Sequence, residues 1–212
     1  MKRARILLAD DHTIILEAFK KLIEPEFEVV GTVADGRALL KAAEELRPDL
    51  VMLDVSMPVL NGLEAGRRLK KMLPAVKLVY LTMNQDRDVA AEAVRAGAAG
   101  FLLKNSAASE LLTALRACLR GGSYITPLVA EDVIDVLMDA GGRSKEPISL
   151  TPRQREVLQL LAEGRSMKEV AFLLDVTPRT VAFHKYGLME HLHIRTNAEL
   201  VQFAIRHRIV FA

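Results

Sequence analysis

Through its first 120 residues the chain alternates short apolar runs with amphipathic stretches of helix length, and this alternation limits the fold more than any other feature. The runs are Ala4–Ala9, Phe27–Val33, Leu50–Leu53, Leu78–Leu81 and Gly100–Leu103. They are nearly continuous in apolar residues, the composition of strands buried on both faces. Helical spacing predicts helices near 12–24, 36–46, 61–72, 86–96 and 106–120. A βαβα alternation implies a parallel sheet covered by helices. Five such units predict a doubly wound five-stranded sheet of order 2-1-3-4-5.

The pattern then changes. Gly121-Gly122 ends the fifth helix, a further amphipathic stretch covers Pro127–Met138, and the Gly-, Ser- and charge-rich DAGGRSKEPIS has no periodicity. Thr151-Pro152 reads as an N-cap followed by a proline at N1, opening a helix to about Ala162. Gly164 stops it; shorter helices are expected near Met167–Leu174, from Pro178 to about His193, and near Asn197–Arg206. Four short helices with a tight turn between the second and third outline an all-α helix-turn-helix domain. The expected organisation is therefore a domain over 1–120, a linker over 121–148 with a short helix near 127–138, and a second domain over 149–212.

Several classes are excluded or disfavoured. The only cysteine, Cys118, rules out an internal disulfide and a Cys-rich zinc site, and its helical spacing makes it a core residue. The basic start MKRARILLADD reaches two aspartates too soon for a secretion signal, and no stretch approaches the ~18 apolar residues of a membrane span. A cytoplasmic protein with no membrane partner is expected. Net charge is +2, with about −1 over residues 1–138 and about +3 over 150–212, a mild basic bias in the second domain.

The chemistry gathers at strand ends. Asp10-Asp11 end the first strand, Asp54 the third, Thr82 the fourth and Lys104 the fifth. In a doubly wound sheet these ends open onto one edge, where ligands bind. Taken singly, an aspartate at a strand end is usually a turn residue or a helix cap, and the lysine reads as a solvated charge; their coincidence at four of five strand ends points to one cleft. Clustered carboxylates raise one another's pKa, and a hard divalent cation relieves that repulsion. Mg2+ takes oxygen ligands and keeps waters for a phosphate. A carboxylate can accept a phosphoryl group as an aspartyl phosphate, with Lys104 offering a point charge to one oxygen and Thr82 a hydroxyl to another.

ILLADD, LDVSMP followed by NGLEA, YLT and GFLLK resemble the flavodoxin-like receiver domain of two-component response regulators. The resemblance implies that Asp54 is the phosphoacceptor and that a sensor histidine kinase supplies the phosphoryl group. It implies Mg2+ held by Asp11, Asp54 and the main-chain carbonyl of Ser56, with Asp10 acting through water. Thr82 and Lys104 would contact the phosphoryl group, Pro58 and Gly62 would shape the loop after the site, and Thr82 with Phe101 would form the switch that reshapes the helix 4–strand 5 surface. Asn105 stands where many receivers have proline.

The segment LTPRQREVLQLLAEGRSMKEVAFLLDVTPRTVAFHKYGLMEHL resembles the LuxR-type helix-turn-helix of the NarL/FixJ branch. A recognition helix enters the major groove N-terminus first. The expected DNA contacts are Lys168, Thr177, Arg179, Thr180, Ala182, Phe183, Lys185 and Tyr186, with Val181, Leu188 and Leu192 in the core and His184 hydrogen-bonded near the helix start. Ala182 stands where the family usually has lysine, and His193 where it usually has glycine. Few cations imply weak binding per monomer and a shallow salt slope, hence a homodimer on double-stranded DNA. The resemblance places the dimer surface on Ala198, Val201, Gln202 and Ile205. The combined reading is a phosphorylation-switched transcription factor, a switch rather than a turnover enzyme. An aspartate-nucleophile phosphatase lacks its second acid, since Ser56 occupies that position. A small-signal sensor lacks the space for a ligand domain.

Overall fold

The computed structural model describes residues 3–83, 85–106, 108–139 and 150–210. They form two compact units, one within 1–144 and one within 145–212. The expected linker core, 140–149, lies outside the described residues.

In the first unit β1 (Arg5–Ala9), β2 (Glu28–Val33), β3 (Leu50–Asp54), β4 (Lys77–Thr82) and β5 (Gly100–Leu103) alternate with α1 (Thr13–Ile23), α2 (Gly36–Leu46), α3 (Gly62–Met72), α4 (Arg87–Arg95) and α5 (Ala108–Leu119). Two further elements follow, β6 (Tyr124–Ile125) and α6 (Pro127–Asp139). All strand pairs are parallel, in the order β2-β1-β3-β4-β5-β6. The expected five-stranded sheet thus gains a sixth strand. It was missed because two residues, Tyr124 and Ile125, make too short a run to read as a strand; Gly100 and Phe101 supply the edge on which they pair. Residues 124–139, assigned from sequence to the linker, therefore belong to the first unit: α6 packs on α4 and buries Val129 and Val133.

Strand side chains alternate between the faces of the sheet. On one face Ile6, Leu8, Met52, Val79, Leu81 and Leu102 meet Leu16 and Ile23 of α1 and Leu111, Leu115 and Cys118 of α5. On the other lie Leu7, Val51, Leu53, Tyr80 and Phe101, all buried. β2 departs from the expected double burial: it is an edge strand, half-buried to exposed along its length.

The second unit comprises α7 (Pro152–Ala162), α8 (Met167–Leu174), α9 (Pro178–His191) and α10 (Asn197–Arg206). Thr151, Ser166 and Thr196 close capping boxes with Gln154, Glu169 and Glu199, and Thr177 caps α9. Each cap satisfies an otherwise orphaned helix N–H and so fixes where its helix begins. Leu158, Leu188, Leu200, Phe203, Ala204 and Ile209 form the core.

Candidate phosphoacceptor site and nucleic-acid interface

The parallel register brings the ends of β1, β3, β4 and β5 together. Asp10 follows β1, Asp54 closes β3, Thr82 closes β4, and all three are buried. Lys104 follows β5; its backbone N–H donates to the Thr82 carbonyl at 2.8 Å. Its side chain is 2% exposed, and Nζ lies 2.7 Å from Asp10 Oδ2 and 2.9 Å from Asp54 Oδ2. Burial pushes the Asp54 carboxyl above its usual range, opposed by Lys104; the Ser56 backbone N–H also donates to this carboxylate. Asp10, Asp11, His12 and Asp54 each turn a potential ligand atom toward one point, all within 4.8 Å of one another.

The loop after Asp54 is held tightly. Gly62 N donates to Val55 O at 3.0 Å, and a Cβ on Gly62 would sit 2.0 Å from the Asp54 carbonyl oxygen, so only glycine permits this approach. Asn61 caps α3 through Oδ1 to Glu64 N at 2.9 Å. Between Val55 and Asn61, Val59 has φ +68°, and Leu60 N donates to Pro58 O at 2.7 Å across this three-residue turn.

The carboxylate chemistry suits a hard cation. Asp10 and Asp54 are buried with one lysine between them, and Asp11 adds a third acid, leaving net negative charge. Oxygen donors with excess negative charge match Mg2+.

On α9, Val181 and Leu188 point into the core, while Arg179, Phe183, Tyr186, Gly187 and Glu190 are exposed. Thr177 Oγ1 accepts from Thr180 N at 3.2 Å, and the two hydroxyls lie 2.9 Å apart. Lys185 Nζ lies 5.6 Å from the Tyr186 ring centroid. Lys168 is exposed in the first turn of α8.

Residues 6–116 match the response regulator receiver domain, and residues 148–204 match the bacterial regulatory proteins of the luxR family. The chain belongs to the LuxR-type response regulators. It is similar to the transcriptional regulatory protein MctR of Rhizobium johnstonii, 35% identical over 211 residues, 98% of this chain and 96% of that protein. It is also similar to the oxygen regulatory protein NreC of Staphylococcus carnosus, 33% identical over 214 residues, 97% and 99% of the two chains. Its fold is similar to RcsB from Salmonella enterica serovar Typhimurium bound to a promoter in the presence of the phosphomimetic BeF3−. That match has a TM-score of 0.59 at 27% identity and covers 95% of this chain and 98% of that one. This response regulator accordingly carries a receiver domain and a LuxR-type DNA-binding domain, the architecture of a two-component transcriptional regulator.

The structure brings Asp10, Asp54, Thr82 and Lys104 to one edge of the sheet, with Asp11 at its rim. Ser56 lies beside Asp54 with its backbone N–H engaged, and Phe101 is fully buried in mid-β5. Sequence reasoning treated His12 only as a helix start. Its Nδ1 lies 3.1 Å from Asp10 Oδ1 and 3.0 Å from Asp11 Oδ1, and its N–H donates to Asp10 Oδ1 at 2.9 Å. Its position directly after two site aspartates was the available signal. Of the residues expected at the DNA, Arg179, Phe183 and Tyr186 lie fully outward, Ala182 and Lys185 are half-buried, and Thr177 and Thr180 are engaged in the cap of α9. His184 packs edge-on to Phe183 with centroids 5.5 Å apart, and among the described residues it makes no hydrogen bond at the helix start. Leu192, expected in the core, is half-buried at the C-cap of α9 and packs against the core of the second unit.

Proposed function

We propose that Asp54 accepts a phosphoryl group from a sensor histidine kinase in the cytoplasm and that this switches DNA binding by the LuxR-type domain. The observation that carries the reading is the ion-paired cluster of Asp10, Asp54 and Lys104 at the strand ends. An Asp54 carboxylate oxygen attacks phosphorus as the bond from phosphorus to the donor breaks. Lys104 keeps one cation at the oxygens where charge collects, and the Thr82 hydroxyl would donate to another oxygen. Asp10, Asp11, Asp54 and the Ser56 carbonyl would hold Mg2+, which when bound supplies neutralisation of the remaining phosphoryl charge. Phosphoryl transfer also relocates charge in the site, and Thr82 with Phe101 would carry that change toward α4 and β5.

In the DNA-binding domain Arg179, Ala182, Phe183 and Tyr186 face the groove, with Lys185, Lys168, Thr177 and Thr180 at its edge or at the phosphates. Ala198, Gln202 and Ile205 of α10 are exposed and Val201 is half-buried, whereas Leu200, Phe203 and Ala204 turn inward. This outward face supports pairing of two copies on double-stranded DNA.

The test treats wild type and Asp54→Asn with Mg2+ and a small phosphodonor, then measures binding to promoter fragments. Activation of wild type alone is expected. Equal activation of both would refute an Asp54 switch.

A further inference from the structure

The outward face of α9 is unusual in its chemistry. Arg179, Phe183, Tyr186 and Glu190 recur at spacings of four, three and four, so they share one stripe opposite the buried Val181 and Leu188. Phe183 is 75% exposed and Tyr186 58% exposed. A phenyl ring left in water forfeits the transfer free energy of a large apolar side chain, so this face is built to be covered. The stripe starts with Arg179, beside the N-terminal end of the helix dipole, and Lys185 flanks the rings. It ends with Glu190, which a phosphate backbone repels. The charges thus favour a polyanion over the N-terminal two turns of α9 and disfavour one beyond them.

The major-groove edges of base pairs are almost wholly polar; the exception is the 5-methyl group of thymine. Phe183 has no hydrogen-bonding atom, so in a groove it can contribute only apolar contact. Tyr186 lies three residues further, a rise of about 4.5 Å, comparable to one base-pair step. Two adjacent apolar surfaces on this stripe therefore match two neighbouring methyl groups. We propose that α9 selects DNA by pyrimidine 5-methyl groups, read by Phe183 and Tyr186, so that each half-site is centred on thymines. The proposal rests on the DNA-binding reading above and adds the chemistry that is read.

The test uses the full chain, treated with Mg2+ and a small phosphodonor, to select duplexes from a random library. The enriched duplex is then resynthesised with deoxyuridine replacing thymidine, one position at a time; this removes the methyl and keeps the pairing. Deoxyuridine at one or two positions in each half-site is expected to weaken binding about fourfold per methyl, the worth of one buried CH2-sized group. Phe183→Ala is expected to bring the thymidine duplex down to the level of its deoxyuridine counterpart. A deoxyuridine series that binds within about twofold of the parent at every position, against the fourfold expected, overturns the proposal. So does a Phe183→Ala variant that binds both duplexes more tightly, since the ring would then cover a protein contact. Failure to enrich any duplex overturns the DNA-binding reading itself, and with it this one.

Discussion

Asp10 and Asp54 are almost wholly withdrawn from water, yet they share the one ammonium of Lys104. Two buried carboxylates and one cation leave an uncompensated charge, and the site is shaped by that imbalance rather than by any single contact. Val59, close by, shows what the loop costs. A β-branched residue at φ +68° sits in a region that disfavours L-residues by about 1–2 kcal/mol. Replacing Val59 by glycine should stabilise the chain by about 1 kcal/mol in urea unfolding, after allowing for the extra entropy of the unfolded glycine chain. Unchanged or lower stability would mean that the turn is unstrained. Cys118 gives a pH prediction. Burial pushes its thiol up to about 11 from an ordinary value of 9.0, while its Sγ donates to Ala99 O at 3.1 Å. A raised folded pKa means that the thiol's contribution is complete below the unfolded value and is lost as pH rises through the folded one. Stability should therefore fall between pH 9 and 11 by about 2–3 kcal/mol from this group. Cys118→Ala should flatten that part of the pH profile; an unchanged slope would assign the loss to other groups.

At the scale of elements, five strands, their helices and the four C-terminal helices were legible because each carries its own local signal. Apolar runs such as Leu50–Leu53 mark the interior strands, and Thr151-Pro152 and Thr177-Pro178 mark helix starts that the caps confirm. β6 was not legible, because its partner β5 rather than its own sequence makes it a strand. Thr126 then locks the junction: its backbone N–H donates to Phe101 O at 3.0 Å, and its hydroxyl donates to Glu110 Oε1 at 2.8 Å. With α6 burying Val129 and Val133 beside α4, the segment is part of the domain core. A fragment ending at residue 120 should therefore be less stable than one ending at 139 by at least about 3 kcal/mol, the burial of two valines. Equal unfolding midpoints would show that β6 and α6 add nothing. The site was legible for the same reason as the strands: Asp10, Asp54, Thr82 and Lys104 stand at strand ends, where parallel topology fixes convergence. His12 was not read as part of the site: it follows Asp10-Asp11 directly, but its approach to the acids depends on the local backbone and on its side-chain rotamer.

Across the whole molecule two compact units divide the proposed work, with the chemistry in the first and the readout in the second. The switch residues proposed here, Thr82 and Phe101, sit in β4 and β5, and β5 pairs directly with β6, which leads into α6 within the same unit. A rearrangement of β5 would thus reach β6 through one strand pair. All of this depends on one carboxylate accepting phosphate. The most direct measurement is the intact mass of the full chain after incubation with Mg2+ and a small phosphodonor, followed by mapping of the modified residue. A single phosphoryl adduct on Asp54, labile to base and to hydroxylamine and absent from Asp54→Asn and from samples with the metal chelated, is the expected result. An equal adduct on Asp54→Asn, or none on wild type, would contradict it.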